Sequence, residues 1–580
     1  MISVFDEKYR KHVIIAILVL ASVLRLVWLS FGDATTDEVL YAFRAIGMLD
    51  YDEANDQPTP LEWFDPKSAS PHPQSTLSLK SGIPWWTKLS FHDHPPLVFL
   101  VQHWSMRIFG ESNFGFRLPS ALFGVGSVYL LYLIGSLLYT RSVGVFSALL
   151  LAVTVNHVYI SRIGLQESQL IFFMLVAIYY FINSLEHGRY RIYTGIAFGL
   201  AVLTKYTGLV LIPIFLLYLV LFRRDYFVSK KSWIGGALAL VIISPVVIYN
   251  IFLYQAVGHF DFQFSYIFRQ FPDVWKIAPG KEIGTLSNRF RSIAPNLFKI
   301  SSWAFLASFV FAAFLFVALI FRAPRETFRK HRFLVISIAF FFLLVLFVGT
   351  SFRFVSLFTP FLALGAGVLM AHLYEKKQNV FLWFFLPFLI FEVSFTFHSQ
   401  MWYGIDGLSP WLYSQNLRYE KYDGGYNELG KYLARELDGR APSRVFEMQY
   451  QFLDDLHAQA ILRAQKEKRE PYSAVIIYDG NIDHIAQLWF LDRLNVYRGW
   501  PVLNVSQYLD FLDANNIEQI KNNLFEHYYV IIPTEEVFQR KAESRTNVGQ
   551  VLEVELRAGG LKPISILNDR GKESFRVWRF

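Results

Sequence analysis

Apolar runs of about 17 to 25 residues, the length that crosses a bilayer core, recur through the first two thirds of the chain between short polar or basic turns. They occupy residues 13–31, 116–139, 143–160, 168–184, 233–254, 303–321, 333–348, 354–373 and 380–397. A further apolar stretch, 192–222, is too long for one crossing and short for two. Thr204-Lys205-Tyr206-Thr207-Gly208 interrupts it, so it divides there. The pattern predicts an α-helical polytopic membrane protein with about eleven transmembrane helices. Between the first two runs, from residue 32 to about 114, the chain is polar and rich in Pro and Trp. Within that loop, 39–48 and 95–109 have the apolar spacing of amphipathic helices lying along the interface. From about Met401 the composition turns polar, and candidate strands (474–478, 528–532) alternate with candidate helices (426–437, 453–468, 482–494). That alternation predicts a small soluble α/β domain. The expected organisation is a membrane domain over 1–400, with its outer loop at 32–114, followed by an α/β domain over 401–580.

Charge orients this array. Basic clusters lie at Lys8, Arg10 and Lys11, at Arg141, at 186–191, at Arg223, Arg224, Lys230 and Lys231, and at Arg322 to Arg332. Alternation through the predicted crossings puts every cluster on the side of the N-terminus, as the positive-inside rule requires, and leaves the C-terminus outside. The N-terminal cations precede a long apolar run with no small-residue cleavage pattern, which reads as an uncleaved signal anchor. With 53% hydrophobic and 18% aromatic residues and a mean hydropathy of +0.31, the composition is that of a multi-pass membrane protein. The net charge of +8 resides in the orienting clusters, so nucleic acid is not an expected partner. With no cysteine in the chain, thiol catalysis, disulfides and thiolate metal sites are excluded.

The same alternation gathers Asp37, Glu38, His92, Asp93, His94, Arg162, Glu167, Lys205, His259 and Arg353 at the outer face. A proton or ion relay would need ionisable groups spread through the bilayer, so this clustering weakens a channel reading. Arg25, inside the first run, is expected to snorkel to the near interface and to serve packing. The adjacent carboxylates Asp37 and Glu38 directly follow the first crossing. They suit either catalysis or the capping of the helix that follows, and position alone does not separate the two. His92, Asp93 and distant His259 could ligate a divalent metal, the one cofactor these residues allow, or be ordinary loop residues. Trp85, Trp86 and Tyr266 could stack on sugar faces or anchor at the interface. Gly424-Gly425 and Gly559-Gly560 read as turns rather than phosphate cradles.

A series of short motifs lies between Arg25 and about Gly367. They are Asp37-Glu38-Val39-Leu40-Tyr41-Ala42, His94-Pro95-Pro96-Leu97, and Phe116-Arg117-Leu118-Pro119-Ser120-Ala121-Leu122-Phe123-Gly124. Ser161-Arg162 with Glu167, Gly199-Leu200-Ala201-Val202-Leu203-Thr204-Lys205, and Arg353 with Pro360 follow. In order and placement the set resembles the GT-C superfamily of membrane glycosyltransferases, in the branch of protein O-mannosyltransferases and aminoarabinose (lipid A) transferases. The resemblance implies an inverting transfer of sugar from a polyprenyl (undecaprenyl or dolichyl) monophosphate to a protein hydroxyl, lipid or glycan outside the cytoplasm. It puts the protein in the cell membrane, with its active site and C-terminal domain on the extracytoplasmic side. The family's general base falls on Asp37, with Glu38 as second candidate. Asp93 and Glu167 would position donor or acceptor, and Arg162, Lys205 and Arg353 would face the phosphate. Some relatives have a lysine before the Pro-Pro pair where this chain has His94. The rival class is a transporter or lipid-linked sugar flippase, for which paired broken helices and an internal repeat are expected. A non-catalytic scaffold would not need the outer carboxylates and cations.

Overall fold

The computed structural model describes residues 7–51, 58–68, 82–270, 285–400, 409–414, 416–417, 423–515, 517, 524–537 and 545–580. The expected domain start at Met401 lies outside them. In chain order the main helices are α1 (Glu7–Leu26), α2 (Glu38–Gly47), α3 (Leu97–Phe109), α4 (Asn113–Leu138), α5 (Arg141–Val153) and α6 (Val155–Arg162). There follow α7 (Gln166–Ser184), α8 (Tyr190–Thr204), α9 (Leu211–Phe222), α10 (Lys230–Val257), α11 (Phe262–Phe268) and α12 (Leu286–Ile300). Then come α13 (Trp303–Arg322), α14 (Pro324–Val348), α15 (Thr359–Lys376), α16 (Gln378–Gln400), α17 (Tyr426–Leu437), α18 (Gln451–Lys466), α19 (Val505–Ala514) and α20 (Val548–Ala558). The chain divides into two compact units, residues 1–30 with 89–419 and residues 31–88 with 420–580.

The first unit is the helical bundle. Among the described residues, seven helices are long and apolar enough to span a membrane, or eight if the bent pair α5 and α6 is one span. Helices stand at all eleven expected places. However, α1 carries charges at both ends, α8 has only 15 residues, and Tyr206–Phe222 is shorter than a span.

The run 143–160 is not one straight helix, because α5 and α6 meet at an angle of 59°. Thr154 takes an extended conformation between them, and its Oγ1 donates to Leu150 O at 2.7 Å. The break leaves carbonyls at the end of α5 without helical partners. Arg25 fills the gap, donating to Leu151 O at 3.0 Å, Ala152 O at 2.9 Å and His157 Nδ1 at 2.8 Å. Its side chain is wholly buried, which corrects the expectation that it snorkels. Cations favour the carbonyl end of a helix, and here the bend supplies that end inside the bundle. Elsewhere small residues set the spacing. A Cβ on Gly195 would lie 2.0 Å from the carbonyl oxygen of Gly235, so α8 and α10 touch through backbone. The loop expected over 255–300 contains α12, whose Arg289 donates to Leu346 O and Phe347 O at the end of α14 at 3.1 and 2.8 Å.

The second unit has a five-stranded sheet in the order β4-β3-β5-β7-β6. Its members are β3 (Ala474–Tyr478), β4 (Val502–Asn504), β5 (His527–Pro533), β6 (Ile564–Leu567) and β7 (Glu573–Arg579). β4, β3 and β5 run parallel, while β7 and β6 run antiparallel to their neighbours. Every residue of β3 is buried, as befits a central strand covered on both faces. Its core joins Val475, Ile477, Tyr528, Val530 and Trp578 to Tyr508 of α19 and Leu552 of α20. A smaller parallel pair is formed by β1 (Arg440–Pro442) and β2 (Glu470–Tyr472). The helix expected over 482–494 is broken into His484–Gln487, a π turn at Leu488–Asp492 and Arg493–Arg498.

Residues 31–88, expected to belong with the membrane domain, pack instead with 420–580. Two buried carboxylates explain this. Asp33 accepts the backbone N–H of Gly424 at 2.6 Å and Asn427 at 2.8 Å, at the start of α17. Asp65 accepts those of Gln451 at 2.9 Å and Phe452 at 3.1 Å, at the start of α18. Each caps a helix N-terminus from hundreds of residues away in sequence, satisfying donors that α17 and α18 do not cap for themselves. Burial pushes the Asp33 carboxyl up to about 7, against the lowering effect of these N–H donors.

Candidate functional site

Helix α7 begins at Gln166, so Glu167 lies in its first turn, where a carboxylate suits the helix dipole. Helix α8 ends at Thr204, and Lys205 takes an extended conformation before the 3-10 turn Tyr206–Val210. Gly208 lets that turn fold back, since a Cβ there would come within 3.0 Å of the carbonyl of Ala201. Arg353 sits in the short helical turn Phe352–Val355. These separate interruptions converge on one oxygen. Lys205 Nζ is 2.6 Å from Glu167 Oε1, and Arg353 Nε is 3.1 Å from the same atom. Lys205 Nζ also lies 5.2 Å from the centre of the Phe354 ring.

Glu167 is fully buried, whereas the side chains of Lys205 and Arg353 remain 11% and 16% exposed. Two cations thus converge on one buried carboxylate oxygen, and both keep part of their side chain at the surface. Such an arrangement fits a phosphate monoester or diester, because a buried Glu167 fixes an ammonium and a guanidinium side by side, and both are donors that phosphate oxygens accept from. Of the three cations expected at the phosphate, two come together here.

The third, Arg162, does something else. Its guanidinium donates to Leu24 O at 3.2 Å, Val27 O at 2.8 Å and Trp28 O at 2.9 Å, around the C-terminal end of α1. Arg117 adds a bond to Leu29 O at 3.2 Å. Arg25 of α1 thus secures the end of α5, and Arg162 of α6 secures the end of α1. The expected phosphate contact at Arg162 gives way to this capping role, because unpaired helical carbonyls inside a bundle demand donors.

The histidine-bearing turns meet through their backbones. Phe262 N–H donates to His92 O at 2.8 Å, and Gln263 Nε2 donates to Asp93 O at 3.0 Å. The rings of His92 and His259 lie with centres 6.2 Å apart, while Asp93 Oδ2 pairs with His94 Nδ1 at 2.9 Å. Burial lowers the pKa of His259 and favours its neutral imidazole. Among the described residues no group of three His, Asp or Glu side chains could hold a metal ion, so the expected ligands His92, Asp93 and His259 do not assemble as a set. Asp93 faces His94 instead.

Asp261 is a residue the sequence reading passed over. Fully buried, it accepts from Tyr206 Oη at 2.6 Å, Asn250 Nδ2 at 3.0 Å and Phe264 N–H at 3.0 Å. It thereby ties the turn after Lys205 to the turn bearing His259. An aspartate directly before an apolar helical run is an N-cap signal that could have found it.

In the second unit, Asp37 stands at the N-cap of α2 yet makes no side-chain capping bond. The capping role is therefore not taken up. Asp37 is exposed, while Glu38 beside it is buried to 1% exposure. Of the two aromatic neighbours considered in the loop, Trp85 is 62% exposed, whereas Trp86 is buried, edge-on to Phe64 at 5.9 Å.

A family model described as dolichyl-phosphate-mannose-protein mannosyltransferase matches residues 93–249, a stretch holding Asp93, His94, Arg162, Glu167, Lys205 but neither Asp37 nor Arg353. Two Bacillus subtilis (strain 168) proteins named as mannosyltransferases, YkcB and YycA, are each 28% identical to the chain over 160 and 157 residues. Those alignments take in 27% and 26% of this chain and span about a fifth (22%) of each relative. A crystal structure of ArnT from Cupriavidus metallidurans bound to undecaprenyl phosphate superposes with a TM-score of 0.52 at 12% identity, over 99% of this chain and 98% of that one. At that identity the likeness is one of fold alone.

Proposed function

We propose that this chain, which has the GT-C fold, is an inverting glycosyltransferase that moves a sugar from a polyprenyl monophosphate to an extracytoplasmic hydroxyl of a protein, lipid or glycan. The observation that carries the proposal is the buried Glu167 holding Lys205 and Arg353 on one oxygen. In the reaction the acceptor oxygen bonds to the anomeric carbon as the bond from that carbon to the phosphate oxygen breaks. Negative charge grows on the departing lipid phosphate, and Lys205 and Arg353 stabilise it. Asp37 takes the acceptor's proton, as an exposed carboxylate not used in capping can. Asp93 and His94 orient the sugar. The carrier class is supported by the ArnT structure, which is bound to undecaprenyl phosphate; the names of YkcB and YycA favour a mannose-like sugar. The transporter reading draws no support from these relatives.

Purified protein incubated with labelled polyprenyl-phosphate sugars and membrane extract tests the proposal directly. Label should pass to an acceptor from one or more carriers, and failure with every carrier overturns it. Sidedness is tested separately. A reporter fused after Phe580 should read as extracytoplasmic and one between Arg322 and Arg332 as cytoplasmic; the same reading from both excludes this topology.

A further inference from the structure

We propose that a groove between α1, α5, α15 and α16 binds an anionic glycerophospholipid, with one acyl chain in the groove and the phosphate headgroup among basic residues at its end. The groove encloses about 280 Å3 and is lined by apolar side chains, among them Val13, Ile17, Phe146, Leu149, Leu382 and Phe385. Trp383 and Leu386 on α16 are 81% and 58% exposed, so the adjoining surface is apolar and uncovered by this chain, as a lipid-facing surface is.

The direction of the groove follows from contacts already described. Arg25, near the end of α1, reaches Leu151 and Ala152, near the end of α5, so the two helices run the same way. Val13 and Phe146 therefore lie in the first halves of both, with Ile17 and Leu149 one turn further on. The Phe146 ring is 5.9 Å from Tyr374, 5.3 Å from Phe381 and 5.2 Å from Phe385, which brings the end of α15 and the start of α16 to the same place. Lys11, His12, Arg141, Lys376 and Lys377 are all exposed at these helix ends. Arg141 lies four residues before the lining residue Val145, on the same face of α5. Glu375 is the one carboxylate among the described side chains there. An apolar slot ending in an excess of cations complements an acyl chain joined to an anionic headgroup.

This groove is separate from the proposed donor site. Arg162 binds the far end of α1, and Glu167 follows five residues later, so the Glu167 cluster belongs to that opposite end. The cationic end of the groove, at Lys11 and His12, lies 12 or more residues of α1 before Leu24, which Arg162 binds, a separation of about 18 Å along the helix.

Native mass spectrometry of the full-length protein from mild detergent tests the assignment, with phosphatidylglycerol, phosphatidylcholine and undecaprenyl phosphate added in separate arms. One phosphatidylglycerol per chain should be retained, at least about tenfold over phosphatidylcholine, given about 1 kcal/mol per cation near an anionic lipid. Ala16→Trp, on the exposed rim, should obstruct the slot and lower retention of phosphatidylglycerol. The double variant Arg141→Glu, Lys377→Glu should lower it about tenfold or more while leaving the slot intact. Thermal unfolding of both variants identifies any that fail to fold, and the other then decides. Equal retention of phosphatidylcholine, preferential retention of undecaprenyl phosphate that Ala16→Trp abolishes, or undiminished phosphatidylglycerol in a folded variant each overturns the proposal.

Discussion

Two interruptions within the helical bundle use cations in opposite ways. At Thr154, where α5 bends into α6, Arg25 donates to carbonyls of the broken ladder, and Arg162 does the same for the end of α1. At Lys205, where α8 stops, the cation meets a carboxylate that it shares with Arg353. A guanidinium held by carbonyl dipoles is oriented by architecture and supports architecture. A cation held by a buried carboxylate that a second cation also holds is fixed beside another donor, the pairing that phosphate oxygens accept. The difference shows that a positively charged residue beside an apolar run says nothing of its role until its acceptor is known.

The largest expected effect belongs to a carboxylate used at neither break. Asp37→Asn preserves shape and the capability to cap α2, but cannot take a proton. Transfer should fall by about 10² to 10⁴, the usual worth of a general base, while donor binding persists. Sugar transfer measured beside donor titration checks it. Intact transfer would remove Asp37 from the chemistry, and Glu38→Gln would then test the buried neighbour.

The next effect separates the two breaks. Lys205→Ala should weaken donor binding by about 1–3 kcal/mol, the scale of a lost charge-assisted contact. Titration with a non-transferable polyprenyl phosphate reads this without involving the acceptor. Unchanged affinity would make Lys205 as architectural as Arg25.

The helical bundle was legible because apolar runs of spanning length need no tertiary information. The strands expected at 474–478 and 528–532 were legible as short apolar runs, the second extending to His527–Pro533. β7 was not, because Glu573, Arg576 and Arg579 dilute its pattern, although Phe575, Val577 and Trp578 are buried. The partition of the chain was invisible for a different reason. It depends on Asp33 and Asp65 capping α17 and α18 across hundreds of residues, and a remote cap leaves no local pattern. At the candidate site, the family resemblance pointed to Glu167, Lys205 and Arg353, whose convergence only the fold could supply. Arg162 misled because the carbonyls it serves become visible only once α1 is seen to end among them. Asp93 and His259 share surroundings in the sequence-based topology, but their partners in space are different.

The smallest effect on donor binding is expected from the arginine that serves the fold. Arg162→Lys keeps the charge but replaces a planar fork with a single ammonium, which cannot reproduce the three bonds to Leu24, Val27 and Trp28. Carbonyls left without donors in the bundle should cost about 1–3 kcal/mol of stability, seen as a lower midpoint of thermal unfolding, with donor affinity unchanged in the folded fraction. Arg353→Lys reverses the pattern. The ammonium can still pair with Glu167, so stability should hold, but the phosphate loses a directional donor and affinity should drop modestly, by less than Lys205→Ala. The two conservative exchanges thus read the acceptors of the two arginines, carbonyls in one case and a carboxylate in the other. Weakened donor binding by Arg162→Lys at an unchanged unfolding midpoint would return Arg162 to the phosphate and erase the contrast between the breaks.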